Sequence, residues 1–155
     1  MAGLEAFAGG CQCGRCRYRV VGEAIALFAC HCTECQRQSS SAFGMALWLT
    51  SHSTRTMGSP WGRWVRDTPA GKRLVGELCT ACGTRLFHQM AGQSEVLSIK
   101  PGTLDTAAAR GLEPVAHLWT RSALPWMRFP EGSLLYRGNP PSFEAIFAAW
   151  RARGR

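Results

Sequence analysis

The sequence lacks the features that mark secreted, membrane-spanning and disordered chains. Residues 1–10 contain no basic segment followed by an apolar core, so we expect no signal peptide. No stretch approaches the roughly 18 consecutive apolar residues of a transmembrane helix, and there is no low-complexity run or repeat. These absences predict a cytoplasmic protein with no membrane partner. A chain of 155 residues is long enough for one domain, 1–155, with its own core.

Positive charge is in excess but is not concentrated. The chain has 18 Lys and Arg residues against 10 Asp and Glu, a formal net charge of +8. The arginines are spread over the whole length, and the compact basic block typical of a nucleic-acid-binding surface is missing. We therefore do not expect a nucleic-acid partner, whereas the excess charge suits an anionic small molecule.

Cysteine, in contrast, is abundant, and its eight residues fall into three clusters. The clusters are Cys11-Gln-Cys13 with Cys16 three residues later, Cys30-His31-Cys32-Thr-Glu-Cys35, and Cys79-Thr-Ala-Cys82. In a reducing compartment clustered cysteines indicate metal sites more often than disulfides, although the even number keeps disulfides as an alternative. Zinc is the metal expected for such thiolates.

The number of cysteines in each cluster predicts two zinc ions per chain with different roles. A set of four closes a tetrahedral site, whereas a set of three leaves one position for water or substrate. The closed set is Cys11, Cys13, Cys79 and Cys82, and the open set is Cys30, Cys32 and Cys35. We expect the closed site to be structural, because it joins segments about seventy residues apart.

The segments between the clusters have the β-branched, aromatic or alternating apolar residues of short strands. Strands are predicted over 17–21, 25–29, 42–50, 62–66, 73–78, 84–89, 95–100, 115–120 and 133–137. A helical turn is predicted over 34–39. The spacing of Phe143, Ile146, Phe147 and Trp150 predicts an amphipathic C-terminal helix over about 143–153, with Ser142 as its N-cap. The pattern as a whole indicates a mainly β protein.

Several blocks of the sequence resemble one known family. The blocks are Gly9-Gly10-Cys11-Gln-Cys13-Gly14 followed by Tyr18, Cys30-His-Cys32-Thr-Glu-Cys35-Gln-Arg37, Cys79-Thr-Ala-Cys82-Gly83-Thr84-Arg-Leu86-Phe87, Pro101-Gly-Thr103-Leu104-Asp105, and His117-Leu-Trp119-Thr-Arg-Ser122-Ala-Leu-Pro125-Trp126. Together they resemble the glutathione-dependent formaldehyde-activating enzyme family, which also includes centromere protein V. The resemblance covers about residues 9–126.

The resemblance implies an Mss4-like fold of folded antiparallel sheets with two zinc sites, one structural and one catalytic. The implied activity joins formaldehyde or a similar small aldehyde to glutathione as co-substrate, giving S-hydroxymethylglutathione. In classification this is a carbon–sulfur lyase acting in reverse. Because a fold hosts many functions, a non-catalytic, zinc-stapled binding module remains the main alternative, and a zinc or redox sensor is a third.

Candidate catalytic residues are Cys30, Cys32, Cys35 and His31. A zinc ion held by three thiolates is a poor Lewis acid, but it binds a fourth thiol as a reactive thiolate. His31 is a candidate proton donor to the new alkoxide, a hydrogen-bond partner of a ligand sulfur, or a fourth ligand.

Candidate substrate-binding residues follow the open cluster and recur in the last block. Arg37, Ser39 and Arg121 are predicted to hold carboxylates of a tripeptide thiol, although a solvated helix end explains the first two equally well. His117 is a further candidate for lining the pocket. Cys16 stands where the family pattern carries a small apolar residue, and it either completes and closes the three-cysteine site or is a free, buried thiol.

Overall fold

The computed structural model describes residues 5–68, 71–105 and 111–154, and strands dominate it. The strands are β1 Glu5–Gly10, β2 Cys16–Cys30, β3 Gly44–Gly58, β4 Trp61–Asp67, β5 Arg73–Cys79, β6 Arg85–Met90, β7 Gln93–Ile99, β8 Ala116–Leu118 and β9 Leu134–Leu135. The helices are α1 Thr33–Ser39 and α2 Glu144–Ala152, with short 3-10 turns at Pro101–Thr103 and Thr120–Ser122. The prediction of a mainly β protein with a short C-terminal helix is confirmed. In the described ranges no helix has the length and apolarity to cross a membrane.

Two compact units make up the chain, and each consists of two separate segments. Unit 1 contains Met1–Ala24 and Trp48–Gly111, and unit 2 contains Ile25–Leu47 and Leu112–Arg155. The strands β2 and β3 each begin in one unit and end in the other. Each unit holds one of the two cysteine sets expected to bind metal.

Unit 1 is built from antiparallel pairs. The first half of β2 pairs with β1, from Glu5 opposite Gly22 to Gly10 opposite Arg17, and β4, β5, β6 and β7 pair in sequence order. Burial alternates along β1 and the first half of β2. The core of this unit includes the buried side chains of Phe7, Tyr18, Val20, Leu86, Phe87 and Ile99. The ladder between β1 and β2 ends beside Cys11, so it sets the position of the first cysteine turn.

A close approach explains Gly9 in β1. A Cβ atom at this position would collide with the carbonyl oxygen of Thr103 and with the ring of Tyr18. The Tyr18 hydroxyl lies 2.9 Å from the Thr103 hydroxyl, and Arg17 forms a salt bridge to Asp105 at 2.7 Å. The 101–105 segment therefore packs directly against the strand pair that leads into Cys11.

Unit 2 contains parallel pairing, which differs from the antiparallel arrangement that was expected. The second half of β2 pairs in parallel with β8, from Phe28 opposite Ala116 to Cys30 opposite Leu118, and β8 pairs in parallel with β9. Parallel neighbours need a long crossover connection, which the intervening chain supplies, so the sheet is mixed. The helix α2 buries Ile146 and Trp150 in this unit, as its apolar spacing predicts.

Several elements differ from the sequence-based predictions, and β3 continues to Gly58, well beyond the predicted 42–50. The predicted strands 17–21 and 25–29 form one strand, β2, because Gly22 lies against Thr50 and His52 and does not break the strand. Strand β1 was missed. The predicted N-cap Ser142 is wrong, because Phe143 occupies the N-cap position and no side chain caps the helix.

Candidate metal centres

The four-cysteine group lies in unit 1, where two turns face each other. Cys11 follows β1, and Cys79 is the last residue of β5. The ligand sulfurs of Cys11, Cys13, Cys79 and Cys82 all lie within 4.8 Å of one another. The Sγ atoms of Cys11 and Cys13 are 3.5 Å apart, and those of Cys13 and Cys79 are 3.8 Å apart.

These distances fit a tetrahedral zinc site. Zn–S bonds of about 2.3 Å place the sulfurs of a tetrahedron about 3.8 Å apart. The two turns have the same backbone hydrogen bond. In the first, the N–H of Gly14 donates to the Cys11 carbonyl at 3.0 Å, and in the second the N–H of Gly83 donates to the Cys79 carbonyl at 2.8 Å. Both glycines have positive φ, 78° and 76°, which glycine adopts without strain. The backbone alone thus turns each cysteine pair toward a common point.

Local hydrogen bonds favour the thiolate form of two of these cysteines. Burial raises the pKa of Cys11, but the Cys16 backbone N–H, 3.2 Å from the Cys11 sulfur, and the neighbouring thiols bring it below its usual value. The Thr84 hydroxyl, 3.2 Å from the sulfur, and nearby backbone N–H groups lower the pKa of Cys82 to about 5. Thiolates are the form that binds metal.

The three-cysteine group lies in unit 2, between β2 and α1. Cys30 is the last residue of β2, Cys32 is the N-cap of α1, and Cys35 lies in the first turn of that helix. The three sulfurs lie within 4.8 Å of one another and the residues are half-buried. The Cys35 N–H donates to the Cys32 sulfur at 3.3 Å, and hydrogen bonds from the Cys30 and Cys35 thiols lower the pKa of Cys32.

Among the described residues, no His, Cys, Asp or Glu joins the three cysteines as a fourth ligand. Three thiolates fit a zinc ion that keeps one coordination position open. Cys16 does not fill that position. Its side chain is fully buried in unit 1, its S–H donates to the Pro60 carbonyl at 3.3 Å, and burial raises its pKa to about 12. Of the two interpretations of Cys16, the geometry agrees with the free, buried thiol.

His31 is buried and pairs with another histidine. Its side chain is 0% exposed, and its Nε2 lies 3.0 Å from Nδ1 of His117. The rings of Phe43 and Phe129 lie 5.2 and 5.4 Å from the His31 ring. Burial, followed by the neighbouring His117, lowers the pKa of His31 to about 4, so this imidazole is neutral at pH 7. Burial also lowers the pKa of His117.

The histidine pair was not predictable from spacing, because its members are 86 residues apart. It forms because β8 runs parallel to β2 and places His117 opposite Ala29, one residue before Cys30. Nδ1 of His31 and Nε2 of His117 have no hydrogen-bond partner among the described residues. The only sequence signal for this pairing was the position of His117 in a family-like block.

The predicted substrate-binding residues differ in their surroundings. Arg37 is 81% exposed and lies 3.8 Å from Glu34. The Ser39 hydroxyl is within 3.0 Å of the Phe43 carbonyl, to which it donates. Arg121 stacks on Trp119, with its guanidinium carbon 4.5 Å from the ring centroid. Arg37 and Ser39 thus contact residues close to them in sequence, whereas Arg121 belongs to the turn after β8.

Gln36 is a structural residue that the sequence did not single out. Its side-chain amide donates to the carbonyl of His31 at 2.8 Å and to the carbonyl of Ser122 at 2.8 Å. Both N–H groups of the amide are therefore used. In this way α1 connects the Cys30–Cys32 segment to the 120–122 turn.

Comparison with known proteins gives a clear family assignment. A search of the curated proteins found no match. A crystal structure of a Rhodobacter sphaeroides protein is similar to the chain, with a TM-score of 0.47 at 17% identity over 83% of this chain and 98% of that chain. A family model described as glutathione-dependent formaldehyde-activating enzyme matches residues 6–122, which include every cysteine of both candidate metal-binding groups. The chain belongs to the glutathione-dependent formaldehyde-activating enzyme family.

Proposed function

We propose that this protein adds a thiol such as glutathione to formaldehyde or a similar small aldehyde, as a carbon–sulfur lyase working in the direction of synthesis. The observation that carries the proposal is the half-buried three-cysteine group, which has no fourth ligand among the described residues. The four-cysteine group is the matched contrast, since it fits a closed structural site.

The reaction is balanced without an oxidant or reductant. A C–S bond forms between the thiol sulfur and the carbonyl carbon, the C=O double bond becomes a single bond, and the thiol proton ends on oxygen. A free thiol has a pKa of about 8.5, so only a few per cent is ionised at neutral pH. Zinc held by Cys30, Cys32 and Cys35 would supply a position at which the substrate thiol is bound as thiolate.

The chain's own residues fix this cluster. The Cys35 N–H holds the Cys32 sulfur, and Gln36 holds the carbonyl of His31 between the two other ligands. Parallel pairing of β2 with β8 fixes Cys30 opposite Leu118. A cluster held by backbone contacts on both sides keeps its geometry when substrate exchanges, as a catalytic site requires.

His31 is proposed to act as a neutral imidazole. Because its pKa is about 4, it is not a reservoir of acidic protons at neutral pH. The hydrogen bond to His117 leaves one free donor and one free acceptor at the outer ends of the pair. We infer that the pair orients the Cys30–Cys32 segment.

The reaction also proceeds without an enzyme, so the test must measure acceleration. We would add [¹³C]formaldehyde and glutathione to the zinc-loaded protein and follow exchange between free and adduct signals by NMR. Wild type is expected to accelerate exchange, whereas Cys32→Ser is not. Cys16→Ala is the matched control and should behave like wild type.

Zinc X-ray absorption then separates the enzyme from a binding module. On adding glutathione, the average number of sulfur ligands per zinc should rise, because one light atom is replaced by sulfur at the open site. Four sulfurs at both zinc ions before the addition, together with unchanged exchange, would reject the enzyme proposal and favour the non-catalytic module.

A further inference from the structure

The turn after β8 holds a tryptophan in an unusual backbone conformation. Trp119 has φ 58° and ψ 41°, the left-handed region, which bulky residues rarely occupy. Its N–H donates to the Gly138 carbonyl at 3.2 Å, and its indole Nε1 donates to Oδ1 of Asn139 at 2.8 Å. Strained conformations of this kind persist where the surroundings impose them and are concentrated at functional sites.

The guanidinium of Arg121 stacks on the indole ring of Trp119. The guanidinium carbon of Arg121 lies 4.5 Å from the indole centroid, a favourable cation–π geometry. The side chain is exposed, and within the described ranges it forms no ion pair. Because the indole is itself fixed by Asn139, the guanidinium is held in one place while its donors face solvent.

This turn is tied at both ends to the three-cysteine segment. At its start, the N–H of His31 donates to the Leu118 carbonyl at 2.9 Å. At its end, the Gln36 amide joins the carbonyls of Ser122 and His31. Arg121 is thus carried by a turn that is tied to His31 directly at its start and through Gln36 at its end. His31 lies between Cys30 and Cys32.

We propose that Arg121 binds a carboxylate of the thiol substrate, so that the site selects anionic thiols over neutral ones. This inference rests on the proposed function. Of the three arginine and serine candidates, Arg121 is the one whose position is fixed relative to the cluster and whose charge is unpaired in the described structure. Arg37 lies beside Glu34, and Ser39 donates to a backbone carbonyl. A guanidinium fork suits a carboxylate because it can bind both oxygens.

The direct test compares glutathione with its diethyl ester, in which both carboxylates are neutralised. For Arg121→Met we expect KM for glutathione to rise roughly 10- to 100-fold, the usual effect of removing a hydrogen bond to a charged group. KM for the ester and kcat for both thiols should change by less than about twofold. Arg121→Lys should fall between, because it keeps the charge but loses the planar fork.

Arg128→Met is the matched control. This exposed arginine lies in the loop after the turn and donates only to backbone carbonyls, those of Pro125 and Met127, among the contacts described. Its removal should leave both KM values unchanged. Equal changes in KM for glutathione and ester in Arg121→Met, or no change in either, would overturn the inference.

Calorimetry separates this inference from the proposed function. If wild type does not accelerate thiol addition, the proposed function fails, but glutathione binding to the zinc-loaded protein still tests Arg121. Weaker binding of glutathione to Arg121→Met than to wild type, with ester binding unchanged, supports the carboxylate site. Equal affinities, or no binding to wild type at millimolar glutathione, reject it.

Gln36 is a positioning residue in this scheme. Gln36→Leu keeps the size of the side chain but cannot join the two carbonyls. We expect it to raise KM for glutathione more than for the ester, because the turn with Arg121 is no longer tied to His31. If Gln36→Leu changes both KM values equally, with zinc content intact, Gln36 acts on the cluster and not on the turn.

Discussion

Cys16 shows how strongly burial decides the role of a single thiol. It lies three residues after Cys13, a candidate ligand, yet its S–H donates to the Pro60 carbonyl and its pKa is raised to about 12. We expect Cys16→Ala to lower the free energy of unfolding by about 1–2 kcal/mol, through a lost hydrogen bond and a small cavity. Zinc content, measured by plasma mass spectrometry, should equal that of wild type, and loss of one zinc would contradict the assignment.

We expect the buried His88 in β6 to make the free energy of unfolding depend on pH. Burial, and then the positive charges of Lys100, Arg85 and Arg66, lower its pKa well below its usual value. The unfolded chain, with a histidine pKa of about 6.5, therefore binds the proton more readily than the folded chain. The stabilisation that comes from the neutral form is complete above about pH 6.5 and is lost as pH falls.

His88→Gln removes this contribution to the pH dependence. Between about pH 7.5 and pH 5.5 wild type should lose about 1 kcal/mol more free energy of unfolding than the variant. Urea unfolding at the two pH values measures the difference. Protonation of the cysteine ligands affects both proteins alike, and His31 and His117 shift in the same direction in both. Parallel losses in the two proteins would count against His88.

Among single residues, the sequence predicted which cysteines lie together but not the residues around them. Thiols within a few residues of one another converge locally, so the spacing of Cys30, Cys32 and Cys35 is informative by itself. The contact of His31 with His117 depends on the parallel pairing of two distant strands, which no local pattern encodes. The left-handed conformation of Trp119 is equally hidden, because the sequence there contains no glycine or asparagine to indicate it.

The packing of β4, β5 and β6 predicts that replacing one glycine destabilises the protein. Gly76 lies opposite Trp64 on β4 and opposite His88 on β6. A Cβ atom at Gly76 would overlap the indole ring of Trp64, on which Arg85 also stacks at 4.6 Å. Gly76→Ala should therefore cost about 1–3 kcal/mol of stability, as overpacking does.

The matched control for this substitution is Gly102→Ala. A Cβ atom there would meet no atom within 4 Å, and its backbone needs no positive φ. Its effect on the urea midpoint should be within a few tenths of a kcal/mol of zero or slightly stabilising. Combining Gly76→Ala with Trp64→Ala should cost less than the sum of the two single changes, because the overlap disappears. Additive costs would contradict the steric explanation.

Elements with a strong repeating pattern were predicted well, and those set by distant contacts were not. The helix α2 follows from four apolar residues on one face, two of which are buried. Strand β2 was predicted as two strands because Gly22 reads locally as a break, whereas a neighbouring segment requires it. The parallel direction of β8 depends on the path of the whole chain.

In the whole molecule, the two sulfur groups belong to different units, and their loss should have different effects. Structural zinc contributes about 10–16 kcal/mol in small domains, compared with a total stability of about 5–15 kcal/mol. Cys79→Ser should therefore abolish the cooperative thermal transition. Cys32→Ser should retain one zinc per chain and unfold cooperatively. Circular dichroism with metal analysis tests both, and a Cys79→Ser protein that melts like wild type would show that the four-cysteine site is not structural.

The order of the two sulfur groups along the chain has a consequence for protein synthesis. The three-cysteine group lies within six residues, whereas the four-cysteine group needs Cys11 and Cys82 to meet. On a ribosome that builds the chain from its N-terminus, the sulfurs of the open group are complete when fewer than half of the residues have been added. A nascent chain would therefore complete the three-cysteine group, proposed for catalysis, well before the four-cysteine group, proposed to be structural.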